Sequence, residues 1–237
     1  MVGLLGCGCC DGGGFGCPCN PSYSGEFNFA FDSLPSELVT ISGTDANLRA
    51  ESGQLRNTLA KNTSLRVGVR SSFQNLTLGQ VGCYRQYDLE VNFELLTATW
   101  LPAGLGQHSI TLGLWQTANT AATAYLQLFQ TPSGIGIAWY APNLTAGPSL
   151  PRIYTHSSLT GTFRIKCSQQ SAGSALWDWT GYIDGVALPH TSSGGPPFTF
   201  GSECDFYAWL FHSNDIAFPV QLSNARFDNF TQTFTAQ

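Results

Sequence analysis

The stretch Tyr87–Leu96, YDLEVNFELL, decides the fold that we predict for this chain. Apolar and polar side chains alternate along it, the apolar set being Leu89, Val91, Phe93 and Leu95 and the polar set Asp88, Glu90, Asn92 and Glu94. A period of two is typical of a β-strand that buries one face and leaves the other polar. We therefore predict a central strand here, whose polar face meets either water, a neighbour or a ligand.

Short segments with similar alternation occur on both sides of this strand. They are Phe27–Leu34, Leu38–Ile41, Leu48–Ala50, Gln54–Leu59, Leu65–Val69, Ile110–Trp115, Tyr125–Phe129, Ile135–Tyr140, Phe163–Cys167, Trp179–Leu188, Phe206–Phe211 and Val220–Phe234. The second, third and fourth of these are short and interrupted by Gly and Asn, so they are predicted to be edge strands or an irregular loop. Asp184-Gly185 predicts a two-residue hairpin turn, whereas residues 144–153 and 191–203 are predicted loops because Gly, Pro and Ser interrupt them. No segment combines a 3.6-residue period with helix caps. The pattern predicts an all-β protein, an antiparallel jelly-roll β-sandwich.

The composition narrows the classes of function. Charged residues make up only 11% of the chain and the net charge is −5, whereas globular proteins average about 25% charged residues. The arginines are scattered along the sequence without a basic stripe, so we predict no nucleic-acid partner. No apolar run approaches the roughly 18–20 residues that span a bilayer, so we predict no membrane span. A polar surface with few charges favours an extracellular or virion protein.

Residues 1–24 form a predicted N-terminal arm rich in glycine and cysteine, ahead of a sandwich domain over residues 25–237. The cysteines of the arm are Cys7, Cys9, Cys10, Cys17 and Cys19, and those of the sandwich are Cys83, Cys167 and Cys204. The spacing C-x-C-C-x6-C-x-C differs from the paired C-x2-C of zinc sites, which favours disulfides and leaves metal ligation and free thiols as alternatives. We expect the arm to pack against other subunits, in a homo-oligomer or a larger protein assembly.

The segment Leu4–Cys7 superficially suggests a lipoprotein cleavage box. It lacks the basic region that precedes such a box, and its apolar stretch is far shorter than a signal requires. We therefore expect no classical signal peptide.

Three segments resemble, in their order along the chain, the concanavalin A-like (laminin G-type) jelly-roll superfamily. They are GEFNFAFDSL at residues 25–34, YDLEVNFELL at 87–96, and WTGYIDGVAL at 179–188 followed by ARFDNFTQTF at 225–234. That superfamily includes lectins, adhesion modules, family-16-type glucanases and structural appendage domains. The resemblance therefore implies the fold more strongly than any one activity.

In this superfamily sugars lie on the concave sheet, which suggests a candidate ligand-binding face. If the core sides of the predicted strands are aligned, one sheet face collects Asp88, Glu90, Asn92, Glu94, Trp115, Tyr125, Gln127 and Tyr140. Carboxylates and amides hydrogen-bond sugar hydroxyls, and aromatic rings stack on the apolar faces of sugars. The pattern predicts a carbohydrate-binding groove, with an ordinary solvated or covered sheet face as the alternative.

Glu90-x-Asn92-x-Glu94 resembles the E-x-D-x-E strand of family-16-type glucanases. The resemblance would make Glu90 the nucleophile and Glu94 the general acid/base. This chain has Asn92 where that pattern has Asp, and an amide cannot tune its neighbours by charge. We therefore predict no catalytic residue and no enzyme, and keep a family-16-like glycoside hydrolase as an alternative.

Two further groups of residues have chemistry to consider. The four histidines His108, His156, His190 and His212 are isolated in sequence, and we expect them at the surface or in loops. Laminin G-type modules sometimes hold calcium near strand ends, where this chain has Asp184, Asp205, Asp215 and Asp228. Because no compact run of oxygen ligands is present, we predict no cofactor and keep calcium as an alternative.

These observations favour a non-enzymatic structural or adhesion protein. We predict that it is displayed in an extracellular or virion assembly, as a phage-tail or capsid-surface component, and anchored by its N-terminal arm. A lectin-like module that binds a surface glycan is the second hypothesis, and the glycoside hydrolase is the third.

Overall fold

The computed structural model describes residues 24–34, 38–42, 48–60, 64–70, 85–100, 108–116, 122–131, 134–141, 151–171, 176–189, 192–194, 206–214 and 220–236. Sixteen strands lie within these ranges: β1 Ser24–Phe29, β2 Leu38–Ser42, β3 Leu48–Glu51, β4 Gln54–Ala60, β5 Ser64–Arg70, β6 Arg85–Trp100, β7 His108–Gln116, β8 Ala122–Thr131, β9 Gly134–Tyr140, β10 Arg152–His156, β11 Thr160–Gln169, β12 Trp177–Ile183, β13 Val186–Ala187, β14 Ser192–Gly194, β15 Phe206–Asn214 and β16 Val220–Ala236. Within the same ranges no helix is long and apolar enough to cross a bilayer.

The strands form two antiparallel sheets. The nine-stranded sheet has the order β13-β12-β11-β6-β16-β4-β3, with β1 added on β16 and β14 added on β12. The seven-stranded sheet has the order β10-β9-β8-β7-β15-β5-β2. This arrangement confirms the predicted all-β sandwich. The predicted division into residues 1–24 and 25–237 stays a prediction, because residues 1–23 lie outside the described part of the chain.

The predicted central strand is β6, at the middle of the nine-stranded sheet between β11 and β16. Its apolar residues Leu89, Val91 and Phe93 are buried, whereas the polar residues between them are partly exposed. This confirms the alternation on which the fold prediction depends. β6 extends beyond the predicted segment at both ends, from Arg85 to Trp100.

The core lies between the two sheets and is filled by large apolar side chains. Trp139 of β9 is fully buried and packs on Gly181 of β12, where an added Cβ would lie 3.0 Å from the indole ring. A methyl group at this distance would be tighter than an ordinary contact, so the indole would have to shift by a few tenths of an ångström to admit it. Trp177 and Trp179 of β12 are also fully buried.

The core also holds polar side chains, and this contradicts our expectation for two histidines. His108 of β7 and His212 of β15 are buried, on the same side of their strands as Ile110 and Leu210. His212 Nδ1 lies 2.9 Å from Asn57 Nδ2, which joins the seven-stranded sheet to β4 of the nine-stranded sheet. Alternation places these rings inward because each follows the period of its strand.

The predicted hairpin at Asp184-Gly185 is confirmed, whereas two predicted loops contain short strands. Asp184 and Gly185 have φ values of 51° and 76° and join β12 to β13 as a tight hairpin, the turn that needs positive φ at both positions. The loops predicted over 144–153 and 191–203 are wrong in part, because β10 begins at Arg152 and β14 occupies Ser192–Gly194. Each is a short edge strand whose neighbouring Gly and Pro residues obscure it in the sequence.

Candidate ligand-binding face

The structure separates the residues that we predicted to share one face. Asp88, Glu90, Asn92 and Glu94 lie on β6 of the nine-stranded sheet, whereas Trp115, Tyr125, Gln127 and Tyr140 lie on β7, β8 and β9 of the seven-stranded sheet. The predicted single face is therefore wrong. Each strand turns its apolar side to the common core, so the polar sides of the two sheets point in opposite directions.

The outer face of the seven-stranded sheet has a pair of stacked tyrosines. Tyr125 and Tyr140 are directly opposed on β8 and β9, with ring centroids 5.4 Å apart and planes inclined by 20°. Partial burial, and then the proximity of Tyr140, raise the pKa of Tyr125 above its ordinary value. Its hydroxyl therefore stays protonated at neutral pH and can both donate and accept hydrogen bonds.

Hydrogen-bonding groups continue from the tyrosines along this side of the sheet, from Gln127 to Ser109, which is only 2% exposed. Gln127, two residues along β8 from Tyr125, donates from Nε2 to Ser109 Oγ at 3.2 Å. Ser109 Oγ lies 2.9 Å from Ser213 Oγ of β15. The chain of contacts spans β8, β7 and β15 and fixes the Gln127 amide, whose oxygen has no partner among the described residues. An oriented amide beside an aromatic pair is a suitable acceptor for a ligand hydroxyl.

A glycine makes room for an aromatic ring on this face. The Phe129 ring lies over Gly136 of β9, since a Cβ built on Gly136 would be 2.4 Å from Phe129 Cζ. Gly113 of β7 is directly opposed to Tyr125. Trp115 lies farther along β7, opposite Tyr207, but its side chain is outside the described part of the chain. Tyr125, Gln127, Phe129, Tyr140, Ser109 and Ser213 form what we call the aromatic face.

The outer face of the nine-stranded sheet is charged, and many of its charges are paired within the sheet. Arg164 Nε of β11 donates to Asp88 Oδ1 at 2.7 Å and lies 3.8 Å from Glu90 Oε2. Its hydrogen bonds to Asp88 raise the pKa of Arg164 above its ordinary value. Arg226 of β16 donates to Glu94 Oε2 at 2.8 Å. The carboxylates that resemble a glucanase motif are thus cross-strand partners of arginines, an arrangement that stabilises a sheet.

Asn92 has the same structural role as its neighbours on β6. Its Oδ1 accepts a hydrogen bond of 2.9 Å from the hydroxyl of Thr162, which is directly opposite on β11. The four polar residues of the predicted central strand therefore all contact an adjacent strand. They belong to the charged outer face, which lies on the other side of the core from the tyrosine pair.

Two of the four aspartates considered for calcium accept hydrogen bonds from backbone N–H groups. Asp184 Oδ1 accepts from the Thr162 backbone N–H at 2.8 Å, and Asp228 Oδ1 accepts from the Asn229 backbone N–H at 2.7 Å. Asp205 and Asp215 lie outside the described residues. Within the described ranges no group of three or more His, Cys, Asp or Glu residues is arranged to hold a metal ion.

Cys167 is a free thiol buried in the core, within β11 and opposite Tyr87 and Trp179. Burial raises the pKa of the Cys167 thiol far above its ordinary value, which keeps it protonated and unsuited to bind a metal. The structure thus places Cys167 in neither a disulfide nor a metal site. The other candidates lie outside the described residues, so the prediction for them stays a prediction: Cys7, Cys9, Cys10, Cys17, Cys19, Cys83 and Cys204.

Ser109 and Ser213 are members of the aromatic face that the sequence analysis missed. Each occupies an outward position on its strand, opposite the other in the β7–β15 register. Alternation along β7 gives Ser109 its direction, but only the pairing with β15, about a hundred residues away, brings the two hydroxyls together.

Comparison with solved structures shows the fold. The chain is similar to an endo-1,3-beta-glucanase from Streptomyces sioyaensis (TM-score 0.57, 10% identity, 94% of this chain and 99% of that chain). It is also similar to a winged bean acidic lectin complexed with methyl-alpha-D-galactose (TM-score 0.50, 12% identity, 91% and 100%). A third similar structure is the CBM2 module of the evolved Dit of Lactobacillus casei BL23 phage J-1 (TM-score 0.50, 9% identity, 90% and 96%).

No protein-family model matches the sequence, and no curated protein matches it. At identities this low the structural similarity shows the fold alone. The sandwich is a concanavalin A-like jelly roll, as the three sequence segments predict.

Proposed function

We propose that this protein is a non-catalytic carbohydrate-binding module and that its aromatic face binds the glycan. The observation on which the proposal rests is the stacked pair of Tyr125 and Tyr140 on the outer face of the seven-stranded sheet. Gln127, the next outward residue of β8 after Tyr125, presents an oriented amide on the same face. The lectin among the similar structures supports the proposal, because it is a protein of the same fold with a sugar bound.

The chemistry of this face matches that of a sugar. One face of a pyranose ring presents C–H groups, which pack on the rings of Tyr125 and Tyr140, while its hydroxyls exchange hydrogen bonds with Gln127 and the tyrosine hydroxyls. Stacking on the rings buries uncharged surface of the sugar, and hydrogen bonds to the Gln127 amide orient the sugar on the face.

The distribution of carboxylates supports binding over hydrolysis. Glycoside hydrolysis uses two carboxyl groups on either side of the scissile bond. Among the described side chains, no carboxylate lies on the aromatic face, and Glu90 and Glu94 lie on the opposite sheet beside arginines. We therefore propose a binding module rather than an enzyme.

The biological setting is a further part of the proposal. We propose display in an extracellular or virion assembly, with residues 1–24 as the anchor and the sandwich as the adhesive domain. The low charge of the chain and its five arm cysteines support this, as does the similarity to a module of a phage protein. In this setting the glycan is a surface carbohydrate to which the assembly attaches.

A glycan array followed by calorimetry on the full chain tests the binding proposal. We expect Tyr125→Ala and Tyr140→Ala each to weaken binding of the best neutral glycan about tenfold, which corresponds to about 1.4 kcal/mol of lost stacking. Tyr182→Ala is the matched control, because Tyr182 is on the nine-stranded sheet, with its ring 5.5 Å from the Arg164 guanidinium. Equal losses in all three variants, or no binding by the wild type, would overturn the proposal.

A hydrolysis assay on the same glycans separates binding from catalysis. We expect no cleavage by the wild type. Cleavage that is lost in both Glu90→Gln and Glu94→Gln would instead establish the glycoside hydrolase.

The anchoring proposal has its own test. We expect the full chain to form oligomers that dissociate on reduction, and to become monomeric when the five arm cysteines are replaced by serine. Cys167→Ala is the control, since this buried thiol lies in the core of one chain. A chain that is monomeric with and without reductant would contradict the anchoring role.

A further inference from the structure

Three arginines form one row on the outer face of the nine-stranded sheet, on the opposite side of the sandwich from the aromatic face. Arg49 of β3 is directly opposed to Arg56 of β4, and Arg56 is directly opposed to Arg226 of β16. The inward neighbours Leu48 and Leu55 are buried, so the arginines occupy outward positions. The row is not evident in the sequence, because Arg226 is far from the other two arginines and meets them only through strand pairing.

A row of like charges on adjacent strands is unfavourable unless counter-charges lie nearby. Two carboxylates form ion pairs with members of this row of three guanidinium groups. Arg226 donates to Glu94 at 2.8 Å, and Arg56 lies 3.5 Å from Glu51. Arg49 is exposed and has no ion pair or side-chain hydrogen bond with a described residue. The row therefore has one positive charge more than its carboxylates neutralise.

The arginine row lines a cavity of about 320 Å3. Thr58 and Asn224 also line it, and the Thr58 hydroxyl donates to Asn224 Oδ1 at 2.6 Å. Arg56 Nε is buried and has no hydrogen-bond partner in the described part of the chain. A cavity of this volume has room for one sugar ring or a molecule of similar size. Its lining supplies guanidinium, hydroxyl and amide groups and one carboxylate, that of Glu51, which is paired with Arg56.

We propose that this cavity binds a small oxyanion-bearing ligand, one that presents a carboxylate, sulfate or phosphate group to Arg49 and Arg56. The planar guanidinium matches the two oxygens of such a group with parallel hydrogen bonds. The anion supplies the negative charge that the row lacks and accepts from the exposed Arg49 guanidinium and from the terminal nitrogens of Arg56, whose side chain is 34% exposed. Thr58 and Asn224 contact the hydroxyl groups of the ligand. The site is separate from the aromatic face and does not depend on the proposed glycan there.

Calorimetric titration of the full chain at low ionic strength tests the site with four probes: sodium glucuronate, sodium sulfate, sodium phosphate and uncharged glucose. We expect saturable binding of at least one of the anions and none of glucose at this site. The anion that binds most tightly identifies whether the ligand group is a carboxylate, a sulfate or a phosphate. Absence of saturable binding by all three anions would overturn the proposal.

Substitutions separate a specific site from general attraction to a positive surface. We expect Arg49→Gln to weaken binding of the best anion about tenfold or more, the effect of losing one charge-assisted hydrogen bond. Arg49→Lys keeps the positive charge but cannot form the two parallel hydrogen bonds of a guanidinium, so we expect it to weaken binding of the anion as well. Arg152→Gln, on β10 of the other sheet, removes the same charge and is the control. Equal weakening by Arg49→Gln and Arg152→Gln would show a bulk charge effect and would overturn the site.

Discussion

The two outer faces of the sandwich differ in how their polar groups are satisfied. On the nine-stranded sheet, Asp88, Glu90 and Glu94 each lie beside an arginine of an adjacent strand. On the seven-stranded sheet, the described outward side chains are uncharged, and Tyr125 stacks on Tyr140. Where charged groups pair with each other within the sheet, fewer of them are free to bind a ligand. A face of aromatic rings and amides leaves its binding groups available. The difference locates the proposed glycan site by chemistry rather than by sequence motif.

The largest expected effect comes from the core that both faces share. Trp139→Ala removes a fully buried indole that packs across the core on Gly181. We expect it to lower the free energy of unfolding by about 3–5 kcal/mol, through lost burial and the cavity that remains. Urea unfolding measures this change. A loss below about 1 kcal/mol would show that the two sheets do not depend on this contact.

Acid should weaken the same core through its histidines. Burial lowers the pKa of His108, and it lowers the pKa of His212 to about 3. Well above pH 6.5 both rings are neutral in the folded and the unfolded state, so the free energy of unfolding does not depend on their titration there. Below pH 6.5 the unfolded chain binds protons that the folded core excludes. The free energy of unfolding therefore falls as the pH is lowered from 6.5. It stops falling once the pH is below the pKa values of the histidines in the folded state.

At the lower end of the range between pH 6.5 and pH 5.5, the expected slope for His212 approaches about 1.4 kcal/mol per pH unit, and His108 adds to it in the same direction. Urea unfolding at half-unit intervals measures it. In His212→Gln we expect a clearly shallower slope, whatever the stability of the variant at pH 7.5. An unchanged slope in this variant would contradict the buried, neutral state of His212.

A smaller effect separates the ion pairs within the charged face. Asp88 is 17% exposed and bonds Arg164 through both oxygens, whereas Glu90 is 45% exposed and lies 3.8 Å from the same guanidinium. We expect Asp88→Asn to cost about 1–2 kcal/mol and Glu90→Gln no more than about 0.5 kcal/mol, because solvent screens the exposed pair. Thermal unfolding of both variants makes the comparison. Equal losses of unfolding free energy in the two variants would show that the closer and more buried Asp88 pair stabilises the sheet no more than the Glu90 pair does.

Local sequence pattern predicts much of this architecture. Alternation gives the direction of each side chain, so Leu89 and Glu90 are assigned to opposite sides of β6, and Asp184-Gly185 is assigned to its turn. The same rule would have placed His108 inward with Ile110, although its isolation in the sequence suggested a surface position. These features depend on neighbours a few residues away.

Strand pairing across long separations is what the sequence does not reveal. β6 pairs with β11 and β16 rather than with β7, and this choice places Glu90 on the opposite side of the molecule from Tyr125. Alternation has the same period in both sheets, so it cannot distinguish them. The tyrosine pair is an exception, because β8 and β9 form a local hairpin that fixes their register. The arginine row and the contact between Ser109 and Ser213 depend on distant strands.

The central claim is that glycan binds to the aromatic face, and mapping the contact by NMR tests it most directly. The full chain would be titrated with the best neutral oligosaccharide from the array while backbone amide shifts are followed. We predict that the shifts that change most cluster on β7, β8, β9 and β15, around Tyr125 and Tyr140. A cluster on β6, β11 and β16, around Glu90 and Glu94, would contradict the account and place the ligand on the charged face.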